Sequence, residues 1–134
     1  MVVKLLQRAV DLGHPSAMNN LAVCYFYGNG VEADEGKAAE LYQMAVDQGV
    51  ANAMLSLGSM YRHGEGVEQD EKRVIRLITQ AAKEGNPVAL YNLAWSYCMG
   101  DCVSKDGRKA VELYEKAIEA GSVSAMFNLG ICMN

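Results

Sequence analysis

The sequence predicts an all-α fold, an α/α solenoid of antiparallel helix pairs with a 36-residue period, in which three full repeats are flanked by a half-repeat at each end. Three observations carry this. Gly13, Gly49, Gly85 and Gly121 recur at a constant step of 36 residues, and Ala17, Leu21, Tyr25, Gly28, Val31, Asp34, Leu41 and Ala45 have copies in the same register with no insertion. A period between about 20 and 50 residues is the signature of an array, not of a globule around one central core. Within a unit, Ala17, Met18, Leu21, Ala22 and Tyr25 form one stripe of a 3.6-residue helix, and Ala38, Leu41, Tyr42 and Ala45 form a second. Glycines punctuate the unit where each helix must stop.

Taken in order, residues 1–12 read as a second helix without its first-helix partner, because Leu5, Leu6 and Ala9 align with Leu41, Tyr42 and Ala45. Three full copies follow, Gly13–Gln48, Gly49–Glu84 and Gly85–Ala120. Each opens on a tight return turn. His14, Asn86 and Ser122 are the expected N-caps, and Pro15 and Pro87 sit at the first helical position, where a missing N–H costs nothing. The longer connection runs Gly28-Asn-Gly-Val31, with Asp34, Asp70 and Asp106 as the next N-caps. The last copy ends inside a first helix, where Met126, Leu129 and Gly130 align with Met18, Leu21 and Ala22. The whole, 1–134, is expected to be one domain.

The run AMNNLAVCYFYGNGVEADEGKAAELYQMAVDQG resembles the Sel1-like repeat, a relative of the tetratricopeptide repeat with the pattern small-xxx-Leu-Gly/Ala-xx-Tyr-xx-Gly-x-Gly-Val-xx-Asp-xx-Lys-Ala. The resemblance covers nearly the whole chain and implies a scaffold or adaptor that holds other proteins or peptides. Two copies depart from the pattern. Cys102 replaces the glycine of Gly30 and Gly66, which puts the geometry of the third loop in question, and the second copy carries Arg73, Val74 and Ile78 in place of Lys, Ala and Tyr.

Composition narrows the function classes. The chain is 51% hydrophobic with a net charge of −4 and interspersed acids and bases, so no basic stripe suits a phosphate backbone and nucleic acid is not an expected partner. No apolar run approaches the roughly 20 residues that span a bilayer, and the first 12 residues do not resemble a signal peptide. A cytoplasmic location is therefore expected. No nucleophile elbow, phosphate loop or paired-histidine motif is present, so no enzymatic activity and no cofactor are expected. Glu40, Asp47, Glu112, Glu115 and Glu119 read as the solvated outer face of the second helices.

Relatives of the Sel1-like family can carry a regularly repeated disulfide pair, a pattern absent from the cysteines at 24, 98, 102 and 132. Cys24 and Cys132 share a repeat position but lie three units apart, beyond the reach of a bridge. Cys98 and Cys102 are close enough in sequence for a disulfide or a half-complete metal site, yet no histidine joins them, and no metal is expected. Free thiols in a reducing cytoplasm are the expectation.

Function then falls to the face of the first helices opposite the core stripe. It presents Asn19, Leu55, Tyr91 and Phe127; Val23, Ser59, Trp95 and Ile131; and Tyr27, His63 and Met99. Asn20, Ser56, Asn92 and Asn128 stand beside them. Apolar and aromatic side chains grouped on a small protein mark a binding site, so a groove for a peptide or helix of a partner is expected from Asn20, Val23, Tyr27, Leu55, His63, Tyr91, Asn92, Trp95, Met99, Phe127 and Asn128. For the asparagines two roles stay open: holding a ligand backbone or bonding between neighbouring repeats. The alternative to a peptide scaffold is self-assembly. Residues 1–12 and 122–134 complement one another as the two halves of a hairpin, so Leu5, Leu6 and Ala9 of one copy are expected to meet Met126, Leu129 and Gly130 of another in a homo-oligomer.

Overall fold

The computed structural model describes residues 2–133, apart from the side chains of Ile131 and Met133. Among these residues there are eight helices and no strand: α1 (Val2–Asp11), α2 (Pro15–Tyr27), α3 (Glu35–Asp47), α4 (Ala51–His63), α5 (Glu71–Lys83), α6 (Pro87–Met99), α7 (Gly107–Glu119) and α8 (Val123–Met133). They form an all-α solenoid of helix pairs and fall into two compact units, residues 1–70 and 71–134.

In the first unit, α2 starts at Pro15 after an extended His14, which makes no side-chain cap bond, and stops at left-handed Gly28. Helix α3 starts where Asp34 accepts the Lys37 N–H at 3.0 Å. It ends in a Schellman turn, with Gly49 N–H donating to the Val46 carbonyl (2.9 Å) and Val50 N–H to the Ala45 carbonyl (3.1 Å). That turn holds Gly49 at φ +84, a conformation in which a side chain is strained. Val50 caps α4 without a side-chain bond. The core stripes match the sequence reading: Ala17, Met18, Leu21 and Ala22 of α2 and Ala38, Leu41, Tyr42 and Ala45 of α3 are buried, together with Ala53, Met54, Leu57 and Met60 of α4. Tyr25 is only half-buried.

The second unit repeats the arrangement. Asn86 and Asp106 cap α6 and α7, accepting from Ala89 N–H (3.0 Å) and Lys109 N–H (3.1 Å). Ser122 Oγ accepts from Ala125 N–H at 3.3 Å. Tyr114 of α7, with no exposed surface, centres a core with Leu90, Ala94, Ala110, Ala117 and Ala125.

The third loop keeps the geometry of its copies. Asp106 N–H donates to the Tyr97 carbonyl at 2.9 Å, as Asp34 does to Tyr25 (2.8 Å) and Asp70 to Tyr61 (3.0 Å). Cys102 adopts φ +64 where Gly30 and Gly66 lie at +77 and +71. The backbone fold of the hairpin therefore overrides the residue, and Cys102 occupies a left-handed position.

The expectation of four free thiols is corrected. Cys98 of α6 and Cys132 of α8 form a disulfide with a Cα–Cα distance of 5.8 Å, whereas Cys24 and Cys102 belong to no disulfide. The reason lies in the period. The two bridged positions are 34 residues apart, close to one repeat, so they occupy equivalent ends of consecutive first helices. A bridge of this kind persists in oxidising compartments, not in the reducing cytoplasm assumed for the thiols.

Candidate partner-binding face on the first helices

Each unit contributes its own part of the expected face. In the first unit Tyr27 stands at the C-terminal end of α2, 68% exposed, its ring edge-on to Phe26 at 4.9 Å. Asn20 is exposed, and Val23 and Leu55 are half-buried. A small 120 Å³ pocket lies beside Tyr27, lined also by Phe26, Tyr42, Ser56, Ser59 and Met60. Burial pushes the Tyr42 hydroxyl pKa up from its ordinary value, partly offset by a hydrogen bond with Ser56. His63 does not stand free: its Nδ1 lies 2.9 Å from the Ser59 carbonyl oxygen and 3.7 Å from Glu65 Oε1. Asn19 is half-buried, its side-chain oxygen covered and without a protein partner.

In the second unit the stripe Tyr91, Trp95, Met99 runs along α6 at four-residue steps, with Phe127 on α8. Trp95 is 38% exposed, Met99 53% and Phe127 76%. Tyr91 is half-buried and packs edge-on to the Tyr114 ring at 6.0 Å. Asn128 Nδ2 donates to the Tyr91 hydroxyl. Of the two roles open to Asn128, the structure therefore shows the inter-repeat bond, and Tyr91 serves as a buttress of the face. The Asn92 carbonyl accepts from Ser96 Oγ at 3.1 Å, and its side chain is half-buried. The expectation for the side chain of Ile131 lies outside the described residues.

The residues assigned to self-association behave unequally. Leu5 and Met126 are 62% and 57% exposed, and Gly130 is exposed too. Leu6 and Ala9 are half-buried. Leu129 packs against the core around Tyr114. A second surface escaped the sequence reading, which treats the second helices as a solvated acidic face. A trough of the second unit is lined by Lys83, Lys109 and Lys116, and the seven-residue step between the last two is its trace in the sequence. Among the described residues no group of three or more His, Cys, Asp or Glu side chains is placed to hold a metal, and no helix is long and apolar enough to cross a membrane.

The Sel1 repeat matches the chain at residues 15–50, 51–86, 87–122 and 123–134. The chain belongs to the Sel1 repeat family. It is similar to a solved Sel1 repeat protein from Oxalobacter formigenes (30% identity, TM-score 0.88, 96% of this chain and 52% of that one). It is also similar to a protective antigen of uropathogenic Escherichia coli with the same repeat fold (32% identity, TM-score 0.88, 94% of this chain). This chain spans 27% of that antigen's structure. An immunity protein from Pseudomonas aeruginosa shares 32% identity at a TM-score of 0.65, covering 96% of this chain and 48% of that one. Helicobacter pylori cysteine rich protein B, at 22% identity and a TM-score of 0.70, shares the fold over 94% of this chain and 96% of its own. No curated protein matches. Sel1 repeat proteins generally act as protein-interaction scaffolds and are typically non-catalytic.

Proposed function

We propose that this Sel1 repeat chain is a protein-interaction scaffold whose first helices carry the contact surface, with Trp95, Met99 and Phe127 as its apolar anchors in the second unit. The observation that supports the reading is their exposure on neighbouring first helices, next to a rigid support made by the Asn128–Tyr91 hydrogen bond. Large rigid side chains lose little conformational freedom on binding, and aromatic anchors dominate interface energetics. Tyr27 plays the corresponding part in the first unit. Asn92 is left to bond a ligand backbone, whereas Asn128 holds Tyr91. The ligand is a peptide or helix of a partner protein. The immunity protein among the similar structures fits a binding role of this kind.

The experiment is a selection of displayed peptides on the full chain, followed by affinity measurements on Trp95→Ala and Phe127→Ala. Truncating an anchor should weaken selected peptides by about 2 kcal/mol, some thirtyfold. Equal affinity for both variants and the original chain would remove the assignment.

A further inference from the structure

The second helices of the second unit hold a surface that the scaffold reading leaves unused. A trough of 650 Å³ opens between α5 and α7, with the start of α6 as its floor. Half-buried Leu113 and the small exposed edges of the otherwise buried Leu90 and Leu93 make it apolar, and Lys83 on one wall and Lys109 and Lys116 on the other make its rim cationic. At about 100° per residue, Leu90 and Leu93 point to roughly the opposite side of α6 from Tyr91, Trp95 and Met99. The trough is thus separate from the first-helix face.

From this trough we infer a second docking site, one that takes an acidic amphipathic helix of a partner protein. Charge complementarity is the first argument. The chain carries a net charge of −4, yet three of the four charged side chains lining the trough are lysines, Glu119 being the exception. The Lys109 ammonium is held over the Tyr97 ring at 4.8 Å from its centroid, and among the described residues no salt bridge is seen at any of the three lysines. An apolar surface rimmed by ammonium groups without a carboxylate partner is satisfied by a ligand with an apolar underside and carboxylate flanks.

Shape decides between a helix and a small anionic amphiphile. The lining residues of α7 run from Lys109 to Glu119, a length of about 15 Å, or nearly three helical turns. Both walls are helices, and a third helix laid along them buries one face at the usual packing distance. Lys109 and Lys116 are two turns apart on one face of α7, which matches acids spaced seven residues apart on the ligand. A single-headed amphiphile neutralises one lysine and leaves the others unpaired.

The test uses a displayed library of helical peptides selected on the full chain. Each binder is then measured by fluorescence anisotropy against the original chain, Lys83→Glu/Lys116→Glu and Trp95→Ala. Both lysines are exposed, and a thermal melt confirms that the double variant folds. The expected result is a class of peptides with aliphatic residues at i, i+3 or i+4 and i+7 and an excess of Asp and Glu. This class loses tenfold or more in affinity with the lysine variant, weakens as salt rises, and is indifferent to Trp95→Ala. Binders that all respond to Trp95→Ala and none to the lysine variant overturn the second site while leaving the first intact. Lysine-dependent binders that are basic or extended, or a trough that binds decanoate but no peptide, overturn the proposed ligand.

Discussion

Three positions on equivalent left-handed backbone separate the cost of conformation from the cost of contact. Gly49 lies at φ +84 with no atom within 4 Å of a Cβ built on it, so Gly49→Ala meets only the left-handed penalty, about 1 kcal/mol. Gly66, at φ +71, differs: its Cβ would stand 2.6 Å from the carbonyl carbon and oxygen of Glu35, at the first turn of α3. Backbone cannot rotate away as a side chain can, so overpacking adds about 1–3 kcal/mol, and Gly66→Ala should cost about 3 kcal/mol in all. Cys102 already bears the conformational penalty at φ +64, so Cys102→Gly should be neutral to about 1 kcal/mol stabilising, the gain reduced by the greater freedom of glycine in the unfolded chain. With an unfolding entropy near 0.28 kcal/mol/K for 134 residues, each kcal/mol moves the melting temperature by about 3 to 4 °C. Differential scanning calorimetry at fixed redox state should rank Cys102→Gly above the original chain or level with it, then Gly49→Ala, then Gly66→Ala. Equal losses at Gly49 and Gly66 would show that the loop does not lie against the start of α3. A clear loss at Cys102→Gly would show that the contacts of the Cys102 side chain outweigh the left-handed penalty at that residue.

The bridge between Cys98 and Cys132 predicts two titratable thiols, not four, in the denatured unreduced protein. By chain entropy, reduction of a 34-residue separation should cost about 4 kcal/mol; four thiols, or a melting temperature indifferent to reductant, would refute it. Burial, reinforced by Tyr91, pushes the Tyr114 pKa up to about 12. Between pH 10 and 12 the unfolded tyrosine has lost its proton and the native one retains it, so stability should fall as pH rises, by about 2 kcal/mol. Tyr114→Phe should flatten part of that limb, with Tyr42 shifted in the same direction. At neutral pH it should be neutral or stabilising, because the buried hydroxyl has no protein partner; a loss above about 1 kcal/mol would show that the hydroxyl is hydrogen-bonded and refute this reasoning. If copies associate through their terminal helices, exposed Met126 is the residue to change, since Leu129→Glu would also damage the core. Light scattering should then show a smaller species for Met126→Glu, and an unchanged mass would exclude this contact.

The repeat and its helices were legible because they are local or strictly periodic. Ala17, Leu21, Leu41 and Ala45 declare their burial by spacing, and Gly49 and Asp34 mark helix ends through backbone conformation and capping, which depend on a few neighbouring residues. The exposure of Tyr27, Trp95, Met99 and Phe127 followed from the same register. What remained was fixed by packing between neighbouring elements. Cys98 meets Cys132 because consecutive first helices bring residues about one period apart together, a pairing that neither local spacing nor shared repeat position suggests. Asn128 finds Tyr91 across the same pair of helices, so only the fold decides that its carboxamide is committed inside the protein. The lysine-rimmed trough likewise gathers residues from three helices: Leu93 and Leu113 read alone as core-stripe positions and the lysines as ordinary solvated ones, so their meeting is not visible in the sequence. A repeat fixes which residues face the core, while the separation and tilt of its helices decide which outward side chains meet.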